Sequence, residues 1–132
     1  MMPSIFALLD DFPVTEFSYV AREAARYWSQ APEEIGLPYH PNVTMGFDPS
    51  PRACQSDVFT NKDYPFMATL GGNTPTAFKA GLSAVKQFLD SRPQQPKIFN
   101  INAWNEWTEG SYLEPDTVHK MAYLEAIRDV FL

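Results

Sequence analysis

Cysteine is nearly missing. Cys54 is the only one in 132 residues, which excludes an intrachain disulfide and leaves the compartment open. Histidine is scarce as well. His40 and His119 are isolated, with no metal-ligand partner at suitable spacing, so no metal site is expected. Basic residues are outnumbered, 10 Lys and Arg against 16 Asp and Glu, for a formal net charge of -6. Phosphate backbones need a basic surface, so nucleic acid is excluded as the main partner. A neutral ligand such as a sugar is not. No apolar run approaches the length of a membrane span. The opening "MMPSIFALLDDF" lacks a basic leader and turns acidic at Asp10 and Asp11, so it is not expected to be a signal peptide. No Gly-rich loop enters a helix, so no nucleotide-phosphate site or cofactor is expected.

Apolar area is plentiful: 45% of residues are hydrophobic and 14% aromatic, enough for one ordinary domain. Residues 4–9 predict a buried strand. Thr15 is placed to cap a helix over 15–30, with Phe17, Val20, Ala21, Ala24 and Trp28 on one face and Pro32 ending it. Residues 42–46 predict a second strand. A long irregular region over 47–73 follows, of the kind that is usually functional in compact domains. Thr74-Pro75 opens the clearest helix, with Phe78, Leu82, Val85 and Leu89 as its apolar stripe. Residues 97–103 predict a third strand. Asp116 or Thr117 is placed to cap a last helix with Met121, Leu124, Ile127 and Phe131 inward. Strands alternating with helices predict a parallel sheet in an α/β fold.

The third strand runs into "NINAWNEWTEG", residues 100–110. Side chains alternate along a strand. Phe99, Ile101 and Ala103 suit packing under helices. Ile98, Asn100, Asn102, Trp104 and Glu106 form a row that grows polar and bulky toward its end. In parallel α/β folds ligands bind at the C-terminal ends of strands. Indole faces cover the C–H faces of pyranose rings, and amides or carboxylates bond the hydroxyls. Paired carboxylates are what glycosidic bond cleavage needs. If the chain turns helically after Trp104, Glu106 and Glu109 have Cβ atoms roughly 5–6 Å apart. Such a pair would raise one carboxyl's pKa and keep it an acid.

"NAWNEWTEGSYLEPD", residues 102–116, closely resembles the hallmark of the WbsX-like proteins and, more distantly, of glycoside hydrolase family 99. "VTMGFDPSPR", residues 43–52, is similar to a second WbsX-like block, with Phe47 in place of the usual tryptophan. "NTPTAFKAGL", residues 73–82, is similar to a third. The resemblance implies that the chain, residues 1–132, is a single partial domain. It would be the C-terminal portion, about three βα units, of a (β/α)8 TIM barrel with parallel strands. By resemblance to family 99, Glu106 is the base that activates the sugar's own 2-hydroxyl and Glu109 is the general acid/base. Thr108 stands where the family 99 motif has histidine. WbsX-like proteins are also described as glycosyltransferases, and a non-catalytic remnant is a further alternative. The expected partner is a glycan.

Trp104, Asn105 and Trp107 are the expected substrate contacts beside the glutamates. Tyr112 and Glu114 either line the cleft with them, or Glu114 simply favours the positive end of the last helix. Asp48 and Arg52 either bond substrate hydroxyls or pair across a turn to hold the loop. Open sheet edges in a partial barrel predict self-association, as does apolar surface at Val43 and Met45.

Overall fold

The structure is a computed structural model that describes residues 5–132, with side chains from Ala7 onward. The fold is mixed α/β, with short parallel strands and three helices. Strands β1 (Val14–Glu16), β2 (Asn42–Thr44), β3 (Thr69–Gly71) and β4 (Asn100–Asn102) form two parallel pairs, β1 with β3 and β2 with β4. Asn42 lies opposite Asn100, and Thr44 opposite Asn102. The pairs are joined where the Leu70 N–H donates to the Phe47 carbonyl at 2.8 Å. Helices α1 (Phe17–Ile35), α2 (Pro75–Asp90) and α3 (Ala122–Phe131) complete the frame.

The second helix forms as its sequence dictates. Thr74 is extended, and its hydroxyl accepts the Ala77 N–H, while Pro75 sits in the first turn. Phe78, Leu82, Val85 and Leu89 are buried as expected, and Phe88 joins them. They pack with Trp28, Val43, Met45, Leu113 and Tyr123 in the larger of two apolar clusters. The smaller cluster gathers Leu9, Phe17, Val20, Phe47, Ala68 and Leu70.

Several expectations are corrected. The strand over residues 4–9 is absent: Ile5–Leu8 is a 3-10 turn, and Ser4 lies outside the described residues. The parallel edge beside β3 is taken by β1 instead. Thr15 therefore does not cap α1. It is buried in β1, where its hydroxyl donates to the Asp11 carbonyl at 3.0 Å. Pro32 does not end α1 either. Arg92 clamps the final turn, donating to the Ser29 carbonyl and to both oxygens of Glu33, and left-handed Gly36 closes it through the Pro32 carbonyl. The region over 47–73 is not wholly irregular, since it holds a 3-10 turn at Ser50–Arg52 as well as β3.

The last helix starts later than its sequence suggests. The Asp116 carboxylate accepts the Val118 and His119 N–H groups, which folds a turn and competes with a helix. Met121 then lies half-exposed at the helix start, while Leu124, Ile127 and Phe131 pack against the larger cluster as expected, beside buried Tyr123 and Ala126.

Val43 and Met45 are not exposed. Both are buried, 5% and 2% accessible, because they face the helices. The opposite face of β2 and β4 carries exposed Asn42, Asn100 and Asn102. Asn42 Nδ2 donates to Asn102 Oδ1 at 3.0 Å, and Asn102 Nδ2 to Ser111 Oγ at 3.1 Å. The alternation expected for the third strand is observed: Phe99 and Ile101 pack against the larger cluster while the asparagines turn away.

Candidate functional site

Beyond β4 the chain folds into a small antiparallel hairpin, β5 (Asn105–Glu106) and β6 (Ser111–Tyr112), joined by a 3-10 turn at Trp107–Glu109. The turn starts two residues later than a helix beginning after Trp104 would. Gly110 closes it with φ +58, a left-handed conformation that favours glycine. A Cβ on Gly110 would also come within 3.0 Å of the Asp48 Cβ and 3.2 Å of its backbone nitrogen. The backbones meet there: the Asp48 N–H donates to the Glu109 carbonyl at 2.6 Å. Gly46 permits the same approach, since a side chain there would strike Asn73 and the Gly110 carbonyl.

This close contact places the Ser50–Arg52 turn against the hairpin. Asp48 Oδ1 accepts the Ser50 N–H at 2.9 Å, which folds that turn. Arg52 reaches across to the hairpin rather than back to Asp48. Its Nη2 donates to Glu106 Oε1 at 2.8 Å, and its Nε lies 3.7 Å from Glu109 Oε1. Thr108 adds a hydroxyl to Glu106 Oε1 at 2.9 Å. One guanidinium thus serves both glutamates, and Tyr64 donates its hydroxyl to Glu109 Oε1 at 2.5 Å.

Glu106 does not follow the expectation that two close carboxylates raise each other's pKa. The Thr108 hydroxyl and the Arg52 guanidinium hold its carboxyl below the ordinary 4.5, against the desolvation that raises it. Two donors on one oxygen, the Thr108 hydroxyl and then the Arg52 guanidinium, outweigh the desolvation.

The aromatic groups form a second layer. Trp107 stacks on Tyr112 with centroids 3.7 Å apart and planes 16° apart, and its indole N–H donates to Glu114 Oε2 at 2.5 Å. Tyr112 in turn donates to Asp116 Oδ2 at 3.0 Å. One face of Trp107 is therefore covered by Tyr112, yet the residue stays 43% exposed. Trp104 is 53% exposed, while its carbonyl accepts the Leu113 and Glu114 N–H groups. Asn105 pairs with Tyr112 in the hairpin and is exposed.

Arg52, Glu106, Glu109 and Thr108 thus meet at one place, with Trp107 and Tyr112 on the same hairpin and Glu114 just beyond it. Asp48 contributes through the turn it folds. Tyr64 escaped the sequence reading, because an exposed tyrosine in a long loop carries no local signal for a partner 45 residues away. Among the described residues no group of three or more His, Cys, Asp or Glu is placed to hold a metal ion, and no helix is long and apolar enough to cross a membrane.

Comparison with known proteins gives the site a context. The family profile described as Glycosyltransferase WbsX matches residues 11–127. Two proteins named Uncharacterized protein WxcX, from two strains of Xanthomonas campestris pv. campestris, are 33% identical over 108 residues. The match covers 81% of this chain but 14% of each relative, so this chain spans a small part of their length. No solved structure matches the chain.

Proposed function

The chain belongs to the WbsX glycosyltransferase family, and on that premise we propose that it is part of a carbohydrate-active barrel that cleaves a glycosidic bond with Glu106 and Glu109. Residues 1–132 would be a single partial domain supplying about three βα units of a (β/α)8 barrel. The parallel pairing of β2 with β4, with α2 between them in sequence, supports that placement. So does the polar row of Asn42, Asn100 and Asn102 on the face turned from the helices.

The observation that carries the reading is the shared guanidinium. Thr108 and Arg52 hold the Glu106 carboxyl below its ordinary value, the direction a base requires. In the scheme implied by the resemblance to family 99, the Glu106 carboxylate takes the proton of the sugar's 2-hydroxyl. That oxygen attacks the anomeric carbon while Glu109 protonates the departing oxygen, and the glycosidic bond breaks. Water then opens the epoxide-like intermediate, with Glu109 as base and Glu106 returning its proton, so configuration is retained. Trp104 and the free face of Trp107 are the surfaces for pyranose C–H faces, with Asn105 beside them. Arg52, Asp48, Tyr112 and Glu114 hold these groups in place.

A second reading, glycosyl transfer in polysaccharide assembly, is favoured by the description the family carries. The test is to offer the protein with its complete barrel a panel of 4-nitrophenyl glycosides and, separately, sugar-nucleotide donors. Release of nitrophenol that is lost in Glu106→Gln supports hydrolysis. Donor consumption without glycoside hydrolysis replaces it with transfer.

A further inference from the structure

The loop between β2 and β3 carries a tyrosine that the scheme above leaves without a role. Tyr64 is 47% exposed, a setting in which a phenol ordinarily bonds water. Here its hydroxyl donates to Glu109 Oε1. The turn that presents it is closed on both sides. The Lys62 N–H donates to the Phe66 carbonyl at 2.8 Å, and the Phe66 N–H to the Asp63 carbonyl at 3.0 Å. It is also braced: Phe66 lies 5.7 Å from Phe59, and Phe59 stacks on Phe12, which packs against the smaller apolar cluster. The hydroxyl is delivered by a fastened turn, which is what a preorganised site needs.

The two glutamates are alike in chemistry and receive different donors. Glu106 has a guanidinium nitrogen at 2.8 Å and the Thr108 hydroxyl. Glu109 has the phenol, with the guanidinium farther off at 3.7 Å. Both are held through Oε1. Among the described residues no donor reaches Oε2 of either.

We propose that Tyr64 is a positioning residue of the site: its hydroxyl holds the Glu109 carboxyl through Oε1 and leaves Oε2 to give and take the proton. The consequence for the reaction rests on the glycosidase reading. When Glu109 passes the Oε2 proton to the leaving oxygen and the glycosidic bond breaks, Glu109 becomes a carboxylate. The Tyr64 bond to Oε1 then becomes charge-assisted and strengthens. A donor that strengthens as charge develops favours the transition state over the ground state. Tyr64 keeps its own proton throughout.

The charges facing the phenol agree. The hydrogen bond to Glu109 raises its pKa above the ordinary 10.0, followed by desolvation and the Glu109 charge; Glu106 adds to this and Arg52 opposes it. The test needs no substrate, so its failure is separate from a failure of the glycosidase reading. The full chain is labelled with [13Cζ]tyrosine and titrated by NMR. The Tyr64 resonance is the one missing from Tyr64→Phe, and circular dichroism checks that each variant is folded. It is expected to titrate above 10.0, to fall back toward that value in Glu109→Gln, and to move much less in Glu106→Gln. A Tyr64 resonance that titrates at the same pH in Glu109→Gln as in the parent would overturn the proposal. So would a larger response to Glu106→Gln than to Glu109→Gln.

Discussion

Arg52 Nη2 lies 2.8 Å from Glu106 Oε1, although the two residues are 54 positions apart in the chain. That one bond ties the loop after β2 to the hairpin after β4. It lies beside the close backbone approach that Gly46 and Gly110 allow.

Removing the cation should be visible as a titration. In Arg52→Gln the Glu106 carboxyl is expected to titrate at higher pH than in the parent, read by 13C NMR of its side chain. Because its pKa is lowered on folding, its contribution to stability is fully present above the ordinary 4.5 and fades as pH falls through the lowered value. The variant should therefore lose less stability on acidification than the parent does. Both differences should shrink in high salt, since the pair is solvent-exposed. A Glu106 titration unchanged by Arg52→Gln would contradict the pairing.

Two glycines should respond in opposite directions. Gly110→Ala puts a Cβ at φ +58 and within 3.0 Å of the Asp48 Cβ. It should cost about 1–3 kcal/mol in urea unfolding. Gly81 lies inside α2, and a Cβ there meets only Val43 Cγ1, at an ordinary 3.5 Å. Gly81→Ala should therefore stabilise the protein by about 0.5–1 kcal/mol through helix propensity. Destabilisation by Gly81→Ala would mean that β2 and α2 pack more tightly than described.

Much of this frame was legible in the sequence. Thr74-Pro75 and the stripe from Phe78 to Leu89 specified α2, because cap, first turn and apolar period all agree locally. The alternation of Phe99 and Ile101 with Asn100 and Asn102 was legible for the same reason. The pairing of β1 with β3 was not, since three-residue strands carry too little pattern to announce a partner. Asp116 misled because an aspartate that caps a helix and one that folds a turn use the same side-chain bond. The ligation of Glu106 and Glu109 by Arg52 and Tyr64 is long-range, so no local spacing encodes it.

The Trp107 plate should depend on Glu114. In Glu114→Ala the indole loses its acceptor, and the Trp107 Nε1–H proton, identified by its absence in Trp107→Phe, should shift upfield in NMR. Glu114→Gln keeps an oxygen acceptor and should shift it less. Equal shifts in the two variants would mean that the bond is not made in solution.

The pair of glutamates is the centre of the account, and leaving-group dependence tests it most directly. In the protein with its complete barrel, Glu106→Gln should slow hydrolysis of every aryl glycoside, by roughly 100-fold or more. Glu109→Gln should slow glycosides with poor leaving groups by a similar factor. It should leave the cleavage step of a dinitrophenyl glycoside nearly unchanged, because a good leaving group needs little protonation. Full activity of both variants on both kinds of substrate would contradict the assignment.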